Sequence, residues 1–239
     1  MSKLGKEGMG DRSASAQRAA GERSIGWLQH ELLARAGVPH GFGTRTSPAR
    51  EGVRRPVQVH GDRVVSADAG LPLGEADASL SARPGVAVGV VTADCVPVLV
   101  AAGGRAVAAV HAGWRGLARG VIPRALEALA EAAPGAELVA AIGPAIGPCC
   151  YEVDAPVLDA LRARFGAATE GALRPARPGH ALLDLVALAR QALLGAGVPP
   201  GAIGAVGACT RCDAERFHSF RRDGARAGRL LSWIEVPAR

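Results

Sequence analysis

The stretch TADCVPVLVAAGGRAVAAVHAGWRG, residues 92–116, decides the fold, because it places two apolar runs on either side of a pair of glycines. The runs at residues 96–101 and 106–110 are rich in valine and alanine and predict two strands. Gly103 and Gly104 between them are typical of a tight turn, since glycine adopts positive φ values without steric cost. The stretch therefore predicts an antiparallel β-hairpin.

This hairpin brings a cysteine and a histidine towards each other. A two-residue loop would set Ala112 opposite Cys95, whereas a glycine bulge or a loop longer by one residue would put Cys95 and His111 on the same face, with Cβ atoms about 5 Å apart. A second histidine, His60, ends the alternating run PVQVH at residues 56–60, which predicts a strand. Two imidazoles and one thiolate leave one tetrahedral position open, as in a catalytic zinc site. Burial in the core is the alternative interpretation of each residue.

The remaining segments predict an α+β fold with a mixed β-sheet core flanked by helices. Apolar residues at helical spacing predict helices at residues 25–36, 121–132, 153–165 and 182–194. Valine-rich runs predict further strands at residues 86–91, 138–142 and 203–207. Strands cluster early and helices follow later, which favours one mixed sheet in a single domain over residues 25–239. Residues 1–24 mix charged with small polar residues and predict a flexible N-terminal tail.

The composition disfavours several classes of protein. No apolar run reaches the roughly 20 residues that a membrane-spanning helix needs, so no membrane association is expected. The 28 basic residues give a net charge of +6, but they are spread along the chain without interleaved aromatics, so nucleic-acid binding is not expected. Five cysteines, an odd number, favour a reducing cytoplasm over a disulfide framework.

Five segments closely resemble, in order, the motifs of the YfiH-type family, also called the laccase-domain or multicopper polyphenol oxidase family. They are QVHGDRVV, TADCVPVLV, HAGWRGLARGV, AIGPAIGPCCYEV and CTRCDAERFHSFRRDGARAGR. The resemblance covers residue 41 to the C-terminus and implies an α+β fold with zinc bound by His60, Cys95 and His111, which would also be the catalytic residues. Family members are described as zinc-dependent phosphorylases of purine nucleosides (adenosine, inosine, guanosine and methylthioadenosine) and as adenosine deaminases. The implied partners are therefore a purine nucleoside and phosphate.

Three alternatives to the phosphorylase remain open. Older descriptions of the family name a copper-dependent phenol oxidase, but multicopper oxidation needs several more histidines close together. The other histidines are scattered along the sequence, at His30, His40, His180 and His218. Copper is therefore less favoured than zinc.

The family also includes a peptidoglycan editing factor, and Cys95 as nucleophile with His111 as base would make an amidase that edits peptidoglycan precursors. The third alternative is a zinc-holding scaffold that binds nucleosides without catalysis.

Phosphorolysis requires an anion site, for which arginine is suited because a guanidinium donates two parallel hydrogen bonds to phosphate oxygens. Arg115, beside His111, and the pair Arg221 and Arg222 in HSFRRDG are the candidates, with a solvated surface arginine as the alternative for each. Tyr151, within the motif AIGPAIGPCCYEV, is a candidate to hydrogen-bond the substrate.

Two further features leave their roles open. Cys209 and Cys212 have the spacing of a redox or metal pair, and a second zinc site or a disulfide is conceivable there, with His218 nearby. The Gly-Pro loop that carries residues 149–150 is expected to line the pocket or a subunit contact.

The family usually has a longer segment before QVHG than the AREGVRRPV found here, and this difference implies a more open site.

Overall fold

A computed structural model describes residues 26–238, and the tail expected at residues 1–24 lies outside this range. The strands are His40–Phe42 (β1), Val64–Ser66 (β2), Ala78–Ser81 (β3), Ala87–Thr92 (β4), Val96–Ala102 (β5), Ala106–Ala112 (β6), Leu138–Ile142 (β7), Glu152–Asp154 (β8), Leu173–Pro175 (β9), His180–Leu183 (β10), Ile203–Ala205 (β11) and Leu230–Glu235 (β12). The α-helices are Glu31–Arg35 (α1), Trp114–Arg119 (α2), Val121–Ala132 (α3), Ala155–Phe165 (α4), Ala168–Gly171 (α5), Leu185–Gly195 (α6) and Phe220–Asp223 (α7).

The strands form three sheets. The largest has the order β11-β7-β5-β6-β3-β2 and is mixed, because β11 and β2 run parallel to their neighbours while the other pairs are antiparallel. A second sheet has the order β1-β12-β4, and a third, smaller sheet has the order β8-β10-β9. This arrangement confirms the α+β fold with a mixed sheet and flanking helices that the sequence predicts. No helix within residues 26–238 is both long and apolar enough to cross a membrane.

The central hairpin strand β5 is buried on both of its faces. Val98 and Val100 contribute to the core between the large sheet and the helices, chiefly α3 and α6. Leu99 and Ala101 point the other way, into the core shared with the second sheet. Because successive residues of a strand alternate between its faces, a strand between two apolar layers needs an unbroken apolar sequence. This is why residues 96–102 contain no polar side chain.

The predicted helices and strands are confirmed where packing agrees with their sequence pattern. The helix at 121–132 and the strand at 138–142 have the expected bounds. The helices expected at 153–165 and 182–194 begin later, since a short strand precedes each of them. The helix expected at 25–36 is wrong for most of its described length, where the α-helix is limited to Glu31–Arg35.

Main-chain pairing explains the shorter first helix. Leu28 exchanges two backbone hydrogen bonds with Phe42, of 2.8 and 2.9 Å, so this part of the chain is extended. The helix then begins after His30, whose Nδ1 accepts a hydrogen bond from the backbone N–H of Leu32. The strand expected at 56–60 is also wrong, because this segment forms only an isolated bridge, at Val57.

The hairpin has the longer of the two loops that the sequence suggested. Its loop has three residues, 103–105, and the strands pair Pro97 with His111. Compared with a two-residue loop, the additional residue moves the partner of Cys95 by one position, from Ala112 to Gly113. Pro97 pairs with His111, and Cys95 is two residues before Pro97. Cys95 therefore lies on the same face as His111, as its diagonal neighbour. The shared face that the sequence predicts for the longer loop is therefore confirmed.

We predict that Leu99→Ala lowers the free energy of unfolding by about 2–5 kcal/mol, because it leaves a cavity between two packed sheets. Leu99 has an exposed fraction of 0%, whereas Leu71 is 67% exposed. Leu71→Ala is the matched control and should change the free energy by no more than about 0.5 kcal/mol. Urea denaturation of both variants measures the difference, and equal effects would contradict the assignment of β5 to the core.

Candidate metal centre and substrate cavity

The structure brings His60, Cys95 and His111 together. One potential ligand atom from each side chain lies within 4.8 Å of the others, and Cys95 Sγ is 4.0 Å from His60 Nε2. The two imidazole rings meet edge to face, with centroids 4.8 Å apart. Two nitrogens and one sulfur at this separation suit a tetrahedral zinc ion with one open position.

A buried carboxylate, that of Asp77, organises this centre. It has an exposed fraction of 0%, and its Oδ1 accepts a 2.7 Å hydrogen bond from His111 Nδ1. Its two oxygens also accept hydrogen bonds from three consecutive backbone N–H groups, those of Val59, His60 and Gly61, at 2.6–3.2 Å. Asp77 thus fixes the tautomer of one histidine, leaving its Nε2 for a metal, and holds the loop that carries the other. It was not among the residues expected from the sequence, where the available signal was an acidic residue directly before the short segment ASLS that forms β3.

Two residues of the centre have strained backbones. His60 has φ = 58° and Asp94, next to Cys95, has φ = 94°, values that non-glycine residues rarely adopt. The carboxylate of Asp94 is held by the Thr210 hydroxyl (2.6 Å), the Ser219 hydroxyl (3.1 Å) and the backbone N–H of Arg221 (2.6 Å). Such strain persists only where the surroundings enforce it, and it occurs preferentially at functional sites.

Gly113 leaves room for the ligand side chains. A Cβ atom at this position would lie 3.1 Å from Cys95 Sγ and 3.3 Å from His60 Cδ2. Both separations are tighter than ordinary van der Waals contact, so a larger residue would displace the thiol and the imidazole. The absence of a side chain at Gly113 therefore permits the close approach of the two ligands.

The electrostatics of the centre favour a metal-binding thiolate. Burial raises the pKa of the Cys95 thiol, but hydrogen bonds to His111 and His60 outweigh this effect and bring the pKa to about 7. Burial lowers the pKa of His111, but Asp77 and Cys95 outweigh it and raise the pKa to about 9. Without a metal, His111 is therefore protonated at neutral pH beside a thiolate and a carboxylate, and a divalent cation bound there would take the place of that proton.

A cavity of about 560 Å³ opens over the three ligands. Its lining includes three of the residues expected to bind substrate, namely Arg115, Tyr151 and Arg221, and one arginine that was not expected, Arg229. The Arg221 guanidinium lies 4.9 Å from the centroid of the Tyr151 ring. Burial, followed by the nearby Cys95, raises the pKa of Tyr151 to about 12, so its hydroxyl remains protonated at neutral pH. The size is typical of a small-molecule site.

Arg222 does not line this cavity, in contrast to its neighbour Arg221. Its guanidinium forms two hydrogen bonds with the Asp223 carboxylate, at 2.8 and 2.9 Å. It also donates to the backbone carbonyls of Thr210, Arg211 and Phe217. All of its donor nitrogens are therefore engaged within the protein. This geometry indicates that Arg222 holds the surrounding loop, and its expected contact with phosphate stays a prediction.

The other four histidines lie outside the centre. The backbone N–H of His30 donates to His40 Nε2 (2.9 Å), while His180 contacts Arg177 and His218 contacts Arg45. Within residues 26–238, the one group containing histidine whose ligand atoms lie close enough to hold a metal ion is therefore that of His60, Cys95 and His111. The copper cluster that would need several neighbouring imidazoles is not formed by these residues.

The two cysteine pairs whose roles the sequence left open meet in the structure. We call the four residues the cysteine cluster: Cys149, Cys150, Cys209 and Cys212. Their sulfurs all lie within 4.8 Å of one another. His218, which the sequence placed near the second pair, is not part of this group.

Comparison with known proteins gives consistent similarities. The family model described as multi-copper polyphenol oxidoreductase laccase matches residues 44–237. A Pseudomonas aeruginosa protein named purine nucleoside phosphorylase is 45% identical over 181 residues, which cover 74% of this chain and 72% of that protein. The crystal structure of the hypothetical protein YfiH of Bacillus licheniformis has a TM-score of 0.79 at 26% identity and covers 90% of this chain and 97% of that chain. That of YlmD from Geobacillus stearothermophilus has a TM-score of 0.78 at 28% identity, with coverages of 90% and 98%.

We predict that Asp77→Ala lowers the free energy of unfolding by about 3 kcal/mol or more, because it leaves four buried or half-buried donors without their acceptor. Asp159→Ala is the control, since this side chain is 74% exposed and its change should stay within about 0.5 kcal/mol. Urea denaturation measures both effects. An Asp77→Ala protein as stable as the control would contradict the organising role of this carboxylate.

Proposed function

Because the chain belongs to the multi-copper polyphenol oxidoreductase laccase family, we propose that it is a purine nucleoside phosphorylase. One observation carries the proposal: the two-histidine, one-cysteine centre lines the same cavity as three arginines, Arg115, Arg221 and Arg229. The protein from Pseudomonas aeruginosa that carries this name is 45% identical to the chain. A site for phosphate beside a site for a nucleoside is what such a reaction requires.

Zinc is the metal we assign to the centre. His60, Cys95 and His111 would hold it through two nitrogens and one thiolate, a donor set that suits zinc and leaves one position open. The space left by Gly113 and the hydrogen bond from His111 to Asp77 both support this fit. When bound, zinc supplies a Lewis acid at this end of the cavity.

The arginines of the cavity suit the phosphate. In phosphorolysis, a phosphate oxygen forms a bond to C1′ of the ribose while the C1′–N9 bond breaks, and its electron pair leaves with the purine, which takes up a proton. Arg115, Arg221 and Arg229 surround the cavity with guanidinium groups that can bind a phosphate dianion and orient it towards C1′. Arg221 is held in place by its donor bond to the Glu152 carbonyl, at 2.9 Å.

Tyr151 is the residue we assign to the nucleoside. Its hydroxyl is protonated at neutral pH, as that of an ordinary tyrosine is, so it can donate a hydrogen bond to the purine or the ribose. Its aromatic ring also offers a flat apolar surface in the cavity. The same cavity therefore presents a cationic part for phosphate and an aromatic part for the purine nucleoside.

The same centre admits competing reactions. Hydrolytic deamination of adenosine would use water in place of phosphate. Cys95, with a pKa of about 7 and two imidazoles beside it, also has the features of a nucleophile in an amidase. Copper-dependent phenol oxidation is less favoured, since the other four histidines lie elsewhere. A scaffold that binds nucleosides without turnover would retain the cavity but not the reaction.

We predict that the purified protein converts inosine to hypoxanthine only when phosphate is present. Cys95→Ala should reduce kcat/KM by about 1,000-fold, equivalent to about 4 kcal/mol of transition-state stabilisation. Chelation should abolish activity, and zinc should restore it better than copper. Chromatography of inosine and adenosine reactions, with and without phosphate, measures these effects. Release of hypoxanthine at the same rate without phosphate would contradict the phosphorylase, and conversion of adenosine to inosine with no phosphate-dependent release of base would favour the deaminase.

We also predict that Arg221→Gln raises the KM for phosphate by about 10-fold or more, because it removes a charge-assisted hydrogen bond. The matched control is Arg226→Gln, an exposed arginine that does not line the cavity. Its KM for phosphate should equal that of the unchanged protein. Initial rates at varied phosphate and fixed inosine measure both constants. Equal KM values for the two variants would remove Arg221 from the phosphate site.

A further inference from the structure

The cysteine cluster unites two loops that are about 60 residues apart in the chain. Ala145 of the first loop and Cys209 of the second form an isolated parallel β-bridge. Two backbone hydrogen bonds reinforce this contact, from Ala145 N–H to the Ala208 carbonyl (3.3 Å) and from Thr210 N–H to the Ala145 carbonyl (3.0 Å). Main-chain hydrogen bonds therefore hold the two loops that carry the thiols side by side.

The sulfur positions resemble a four-coordinate metal site. Cys212 Sγ lies 3.5 Å from Cys149 Sγ and 3.3 Å from Cys150 Sγ, and all four sulfurs are within 4.8 Å of one another. Zinc–sulfur bonds of about 2.3 Å set the sulfurs of a tetrahedral site about 3.8 Å apart. A disulfide would use only two of the four sulfurs, whereas one tetrahedral ion would use them all. The spacing therefore favours a single ion.

A backbone donor completes this environment. The N–H of Gly147 donates to Cys209 Sγ at 3.2 Å, and a Cβ atom at Gly147 would lie 3.3 Å from Cys149 Sγ. Backbone N–H groups that point at sulfur stabilise thiolates, and thiolates are the form of cysteine that binds metal. Cys149 and Cys212 are exposed, so an ion can reach the cluster from solvent.

We propose that the cysteine cluster binds a second zinc ion, with a structural role separate from the reaction. Four thiolates with no open position are typical of structural zinc sites, in contrast to the three-ligand centre in the cavity. The ion would join two loops that both reach that cavity. One loop leads directly into Tyr151, and the other carries Thr210, whose hydroxyl donates to Asp94 beside Cys95. The second zinc would thereby fix the wall of the substrate cavity.

Metal analysis of three proteins tests the proposal: the unchanged chain, Cys95→Ala, and the double variant Cys95→Ala with Cys212→Ser. We expect about two zinc ions per chain in the first, about one in the second and none in the third. Cys95→Ala is the matched control, because it removes a thiol outside the cluster. Cys95→Ala protein without zinc would overturn the second site, and stoichiometric iron in place of zinc would overturn the choice of metal.

Cobalt provides a test that does not depend on the folding of a cluster variant. Cys95→Ala protein produced in cobalt-containing medium should show visible bands of tetrahedral cobalt and an intense thiolate-to-cobalt charge-transfer band. With Cys95 replaced, the remaining thiols are those of the cluster. Absence of these bands would overturn the proposal, as would a mass two hydrogen atoms lower, which indicates a disulfide. One zinc per unchanged chain that persists in Cys95→Ala but is lost in the double variant would instead support the cluster and refute the centre in the cavity.

Discussion

The fully buried carboxylate of Asp77 is the constraint on which the site depends. An ionised carboxylate without solvent contact is costly unless every oxygen finds donors, and here four donors converge on it. Three of these donors are the successive backbone N–H groups of residues 59–61, and the fourth is the ring of His111. One side chain at the start of β3 therefore joins an irregular loop to the end of β6. The same contact accounts for the positive φ of His60, since the hydrogen bonds hold the loop in a conformation that the residue would otherwise avoid.

Much of the fold could be predicted because its central strands have the simplest sequence pattern. The apolar run of β5 and the amphipathic repeat of α3 are local signals, and both elements have nearly the expected bounds. The register of the hairpin was not accessible in this way, because it depends on whether Arg105 belongs to the loop or to the strand. The segment at 25–36 was misjudged for a related reason: pairing of Leu28 with Phe42, residues 14 positions apart, overrides its helical pattern.

The site was partly predictable for similar reasons. His60, Cys95 and His111 belong to recognisable motifs, whereas Asp77 and Arg229 have no local pattern and are identified only by their three-dimensional neighbours. The two arginines of RRDG illustrate the same limit, since Arg221 faces the cavity while Arg222 binds Asp223 and three backbone carbonyls. The convergence of the two cysteine pairs also depends on long-range pairing of loops. Composition and spacing supply candidate residues, and packing decides which of them share a site.

The central claim is that the centre organised by Asp77 and the arginines beside it direct phosphate to a nucleoside. The most direct test follows the fate of phosphate by phosphorus NMR in a reaction with inosine. The account predicts that the inorganic phosphate signal decreases and a sugar phosphate signal grows in equal amount, in step with the release of hypoxanthine. Release of hypoxanthine, or deamination of adenosine, while the phosphate signal stays constant would contradict it, because water would then be the attacking group.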